Sequence, residues 1–154
     1  MHEVIVCEKP TSAEKIAKAL SPSAKKKIYN KKVKYWELKK DSKDITVVSA
    51  VGHLYSLTPD NPKDKVYFDL HWAPAYEVNK KGSGFTKDYV RAIKKLGKNA
   101  ESYIHACDYD TEGTLIGYNA LKYACGFADQ NYFGKSFRAT YGMSPSEYRQ
   151  KYKK

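Results

Sequence analysis

Hydrophobic positions along the chain fall into two units with the same grammar. Glu3-Val-Ile-Val-Cys7 and Tyr103-Ile-His-Ala-Cys107 are short apolar-rich runs, each followed at once by an acid and then by a helix-like stretch. The pattern predicts strand, turn and helix twice over. A helix over Ala13 to Leu20 follows the first run, and one opening at Thr111-Glu112-Gly113 and carrying Leu115, Ile116 and Leu121 follows the second. Between them, Lys27-Ile-Tyr29 and Val33 to Leu38 flank a polar tip at Asn30-Lys31-Lys32, which predicts a hairpin with one of Tyr35 and Trp36 in the core and the other exposed. Ile45-Thr-Val-Val48 has β-branched residues on both faces, the mark of a centrally buried strand. Thr58 to Lys65, rich in Pro and Asp, reads as a loop, and Phe68 to Val78 as a segment crossing back to the sheet. Phe85 to Leu96 places Tyr89, Ile93 and Leu96 at helical spacing, with Gly97 as the stop. The order is β-α-(hairpin)-β-loop-α-β-α without an internal repeat. This is an α/β chain with a mainly parallel sheet flanked by helices.

Length and charge sharpen that picture. At 154 residues there is room for one α/β domain with a real core and an appendage. Twenty-eight Lys and Arg against 17 Asp and Glu give a formal +11, which suits a polyanionic partner such as nucleic acid, although a merely solubilising surface has the same composition. Cys7, Cys107 and Cys125 are odd in number and lack C-x-x-C spacing, so neither a disulfide framework nor a zinc site is implied; Cys7 and Cys107 read as small buried hydrophobes. No signal peptide and no apolar run of membrane-spanning length is present, and a soluble cytoplasmic protein without a membrane partner is expected.

The candidate chemistry is at the ends of the two acid-terminated strands. Asp108, Asp110 and Glu112 stand at every second position in a strand-to-helix turn, and in an open parallel sheet such turns lie at the carboxyl ends of strands, where ligands bind. Carboxylates crowded this closely either raise a pKa or hold a hard cation such as Mg²⁺, with Mn²⁺ able to substitute; a solvated acidic turn capping a helix is the plain alternative. If the two strands are parallel neighbours, Glu8 and Asp108 leave the sheet at one edge and face one site. His53, in Gly52-His53-Leu54, follows the third strand, though a lone His is more often structural than functional. Lys80 and Lys81, before Gly82-Ser83-Gly84, form a basic stretch suited to phosphate contact or to a linker.

Four stretches in order carry a resemblance: Val6-Cys-Glu8-Lys9-Pro10-Thr-Ser-Ala13, Ser49-Ala-Val-Gly52-His53-Leu54, Phe68-Asp-Leu-His-Trp72-Ala-Pro74-Ala-Tyr76-Glu77 and Asp108-Tyr-Asp110-Thr-Glu112-Gly113. Over residues 1–122 the chain resembles the Toprim domain, a Rossmann-like fold, of type IA DNA topoisomerases of the archaeal kind. The resemblance implies single-stranded DNA as partner and a reaction in which a tyrosine of another domain attacks a DNA phosphate and the strand is later resealed. It assigns Glu8 as general acid/base at the 3′ oxygen, Lys9 as a charge offset for phosphate, His53 to the site, and Asp108, Asp110 and Glu112 to Mg²⁺. Thr111 and Thr114 depart from it, standing where many relatives have Arg and an acid. It implies too that the chain alone does not relax DNA, since the remaining topoisomerase domains lie outside it. A Toprim primase or nuclease would use the same acids without a tyrosine, and a non-catalytic DNA-binding module is the alternative from another class.

Residues 123–154 read differently. Gly126-Phe127, Asp129 to Tyr141 and Ser144-Pro145-x-x-Tyr148 are similar to the end of the DNA-binding region of AraC-type regulators: a turn, a recognition helix and a closing helix. That likeness implies a short helical appendage and a chimera joined near Ala124-Cys125-Gly126, with a natural fusion or chance likeness as alternatives. The appendage is expected to pack on the domain through Phe127, Tyr132, Phe133 and Phe137 rather than to read sequence, with Lys135 and Arg138 giving weak, salt-sensitive attraction to DNA.

Overall fold

The computed structural model describes residues 1–61, 69–79, 81–126, 138, 142–143 and 145–151. Strand β1 (His2–Cys7) is buried along nearly its whole length, as Val4, Ile5 and Val6 pointing to both sides require. It leads into α1 (Pro10–Leu20), which starts three residues before Ala13 because Pro10 supplies a preset φ at the first helical position. The next three strands, β2 (Lys25–Tyr29), β3 (Val33–Lys40) and β4 (Lys43–Ser49), form a meander. Its two tight turns put Asn30 and Lys31, then Asp41 and Ser42, at positive φ. The first loop has three residues, Asn30 to Lys32, and the second two, Asp41 and Ser42; left-handed residues in such short loops match the right-handed twist of the strands they join.

After β4 the chain forms a two-stranded antiparallel ribbon, β5 (Tyr55–Pro59) with β6 (Leu70–Pro74), then a single helical turn, α2 (Ala75–Val78). Helix α3 (Thr86–Gly97) crosses back to β7 (Ser102–Ala106), and α4 (Thr111–Asn119) follows, its end widened into a π-helical turn (Ala120–Ala124). A further helix, α5, covers Pro145–Lys151. Pro145 is its first residue, where a preset φ suits a helix start. The rest of the tail, Lys135 and the apolar set included, lies outside the described residues, as does Lys80.

Among the described residues the main sheet has the order β2-β3-β4-β1-β7. β1 is parallel to both β4 and β7, while β3 runs antiparallel to β2 and β4, so every strand but β3 points the same way. The two faces have separate cores. On one, Ile5, Cys7, Trp36, Leu38, Ile45 and Val47 pack against Ala13 and Ala17 of α1. On the other, Val4, Val6 and Val48 pack against Val90, Ala92 and Ile93 of α3 and Ile116 of α4. Each buried side chain of this size contributes about 1.5–3 kcal/mol. Trp36 is core, as the alternation required of one of the pair; its neighbour Tyr35 is half-buried, not exposed, because it packs against the α3 side of the sheet.

Candidate functional site

Glu8 and Asp108 sit just past the ends of β1 and β7. These strands are neighbours in parallel register, with Cys7 beside Ala106, so both acids leave the sheet at one edge. The position of Glu8 is fixed from the other side by the turn after β4, where the amides of Ala50 and Val51 donate to the carbonyls of Cys7 and Glu8 at 2.8 Å each. That turn holds Val51 at φ 57, a left-handed conformation that a β-branched residue rarely adopts and that is characteristic of strained functional turns. The chain then passes through Gly52 to His53.

Lys9 joins the two acids. Its Nζ lies 2.8 Å from Asp108 Oδ2 and 3.1 Å from Glu8 Oε1. Hydrogen bonding first to Asp108 and then to Glu8, with the attraction of both charges, pushes the Lys9 pKa well above the ordinary lysine value. Its ammonium therefore stays charged at any physiological pH. Glu8 is tucked beneath it with 15% of its side chain exposed, whereas the Asp108 side chain is 50% exposed.

The other two acids of the turn point elsewhere. Asp110 caps α4, its Oδ1 accepting from the amide of Gly113 at 2.7 Å, which satisfies a donor at the helix start and places negative charge at the positive end of the helix dipole. Glu112, 69% exposed, has its Oε1 3.4 Å from His53 Nε2. So the structure brings Glu8, Lys9 and Asp108 into one cluster and His53 with Glu112 into another. Among the described residues no three His, Cys, Asp or Glu side chains are gathered closely enough to hold a metal ion. The donor set still fits a hard divalent cation. All four acids offer oxygen, three are exposed, and an ammonium already bridges Glu8 and Asp108 in the role of counter-cation. Assembly of three donors needs rotation of exposed side chains.

Two features of this site were not singled out in the sequence. Gly113 lies so close to the turn that an added Cβ would come within 2.3 Å of the Asp108 carbonyl oxygen, so only glycine lets α4 start here. Gly117 accommodates the His105 ring, whose Nε2 lies 3.2 Å from the Thr114 carbonyl and fastens β7 to α4. The spacing Gly113-x-x-x-Gly117, directly after the acids, is the signal that would have found both. Burial pushes the Cys7 and Cys107 thiols, which adjoin Glu8 and Asp108, up to about 12, so both are inert thiols rather than nucleophiles. Of the remaining candidates, Lys81 is exposed, and Arg138 lies 3.5 Å from Glu147 of α5. No helix among the described residues is long and apolar enough to cross a membrane.

The chain is 60% identical over 126 residues to DNA topoisomerase 1 of Methanothermobacter thermautotrophicus, an alignment covering 82% of this chain and 17% of the relative. DNA topoisomerase 1 of Methanocaldococcus jannaschii is 47% identical over 129 residues, covering 82% of this chain and 16% of the relative. That of Pyrococcus furiosus is 47% identical over 126 residues, covering 80% and 12%. The chain thus spans about a sixth or less of the length of these curated relatives. A model of the Toprim domain matches residues 3–140, reaching past Lys122, and the chain belongs to the Toprim family.

Proposed function

We propose that this chain is the Mg²⁺-binding Toprim portion of a type IA DNA topoisomerase acting on single-stranded DNA. The observation that carries this reading is the placement of Glu8 and Asp108 at the ends of adjacent parallel strands, joined through Lys9. In this reading Glu8 gives a proton to the 3′ oxygen as its bond to phosphorus breaks and takes it back from the 3′ hydroxyl on resealing, and Lys9 swings from Asp108 to a phosphate oxygen when DNA enters. His53 steadies Glu112. Asp108, Asp110 and Glu112 would hold a divalent cation, which when bound would offset charge on the phosphate oxygens. In the same reading the attacking tyrosine belongs to a domain other than the Toprim domain, so the tyrosines within residues 3–140 are not the nucleophile. Residues 123–154 are, in the same reading, a helical appendage of AraC-like sequence whose junction near Cys125 marks a chimera. A comparison of the coding sequence with its source genome across residues 120–130 tests that junction.

The test of the site is a Mn²⁺ titration followed by electron paramagnetic resonance. The parent binds weakly, and Asp108→Asn with Asp110→Asn abolishes binding while leaving the fold intact. An unchanged titration in that double variant refutes the assignment. A Toprim primase or nuclease would share the metal site, and the Trp72 to Glu77 segment favours the topoisomerase.

A further inference from the structure

The outer edge of the sheet carries a charge pattern that the carboxylate site does not use. Between Lys25 and Lys43 there are nine lysines against two acids, Glu37 and Asp41. Four of the nine have acid partners: Lys27 with Glu37, Lys32 with Asp88, Lys39 with Asp44 and Lys43 with Glu3. Of the other five, Lys40 ends β3, and among the described residues Lys25, Lys26, Lys31 and Lys34 have no acid within ion-pair distance and are exposed on the edge strand β2, its turn, or the start of β3. Lys26 and Lys34 both draw the Glu14 carboxyl of α1 down, after the larger effect of Lys18.

Helix α3 adds basic residues on the other side of this edge. Lys87, Arg91, Lys94, Lys95 and Lys98 are exposed on or just after it. It is fastened to the hairpin by Asp88, which accepts from Asn30 at 2.8 Å and Lys32 at 2.7 Å, and by Lys95, 5.4 Å from the centre of the Tyr29 ring. These contacts lie on the α3 face of the sheet, whereas Lys26 and Lys34, in line with Trp36, project on the α1 face beside Glu14, so the basic residues wrap around the outer edge.

Its orientation matters. β3 is antiparallel to β4 and β4 parallel to β1, so the Asn30-Lys31 turn emerges at the same end of the sheet as Glu8 and Asp108. Three strand spacings separate β2 from β1, about 14 Å. Along β2 the strip continues for about 17 Å more. A phosphate backbone leaving the carboxylate edge meets Lys31 first and then the lysines of β2.

We propose that the outer edge of β2, with Lys26, the Lys31 turn and Lys34, forms a backbone-binding strip for the DNA strand beside the cleaved position. The inference rests on the function proposed above. Lysines on an edge strand also block edge-to-edge pairing of sheets, and a purely protective role predicts a different result.

The experiment uses the whole chain and the triple variant Lys26→Gln, Lys31→Gln, Lys34→Gln, with a labelled 20-nucleotide single strand in EDTA at several salt concentrations. Three lost phosphate contacts make the slope of log affinity against log salt shallower by about two and lower the low-salt affinity by about tenfold. An unchanged slope and affinity overturn the strip, even with the Mn²⁺ titration of the parent intact. Self-association of the variant with unaltered DNA affinity also overturns it, leaving edge protection as the role of the lysines. So does lysine-dependent capture on phosphatidylserine vesicles without lysine-dependent binding to the oligonucleotide. A strip that behaves as expected in a chain without carboxylate-dependent Mn²⁺ binding supports the surface and refutes the proposed function, so the two failures are separable.

Discussion

Gly113 shows how far the carboxylate turn depends on one missing methyl group. Its Cβ would meet the backbone of Asp108, not a flexible side-chain end, so the neighbour cannot give way cheaply. Gly113→Ala is expected to cost about 1–3 kcal/mol, the range for overpacking a filled space, and to loosen the Asp108 turn. Urea unfolding measures the first effect and Mn²⁺ titration the second; a variant as stable as the parent would show that the helix start shifts without strain. At this scale the acids themselves were legible, because strand, acid and helix repeat around Glu8 and Asp108. Their partners were not. Nothing in the spacing says that Lys9 bridges Glu8 to Asp108 while Asp110 turns back to its own helix and Glu112 to His53, since those choices follow from side-chain rotamers and backbone direction.

At the scale of elements, the link between hairpin and α3 runs through one carboxylate. Hydrogen bonds from Lys32 and then Asn30 hold the Asp88 carboxyl below its usual range. A carboxyl lowered on folding stabilises the native state fully above its unfolded value, near 3.8, and loses that contribution as pH falls through the lower folded value. The hairpin tip is therefore expected to loosen below about pH 4 before the rest of the sheet, and Lys32→Ala to move the onset upward. Amide exchange at Lys31 and Lys32 against pH checks this; simultaneous loosening of β1 and β2 would refute it. The strands most visible in the sequence were those with β-branched residues on both faces, β1 and β4. The ribbon of β5 and β6 was read as loop and crossing segment, because Pro59, Pro74 and interspersed polar residues break the alternation. What makes it a ribbon is long-range register, Tyr55 beside Pro74 and Pro59 beside Leu70, which no local window contains.

For the molecule as a whole, strand direction concentrates charge at one edge of the sheet and Lys9 compensates for it. β1 and β7 deliver two carboxylates to one place, and like charges there oppose folding unless a cation sits between them. In the isolated chain that cation is the Lys9 ammonium, which competes with any divalent ion for Asp108. Lys9→Met is thus expected to bind Mn²⁺ severalfold more tightly than the parent. It should be less stable without metal and gain more thermal stability when metal is added. A ligand that binds only the folded state stabilises it by about 1.4 kcal/mol at ten times its Kd, so the gain is readable by calorimetry. Adding Asp108→Asn to Lys9→Met should remove both the loss and the gain, because the repulsion and the metal donor disappear together. Weaker Mn²⁺ binding by Lys9→Met would instead mean that the ammonium holds Asp108 in position for the metal, and Lys9 would be a positioning residue rather than a competitor.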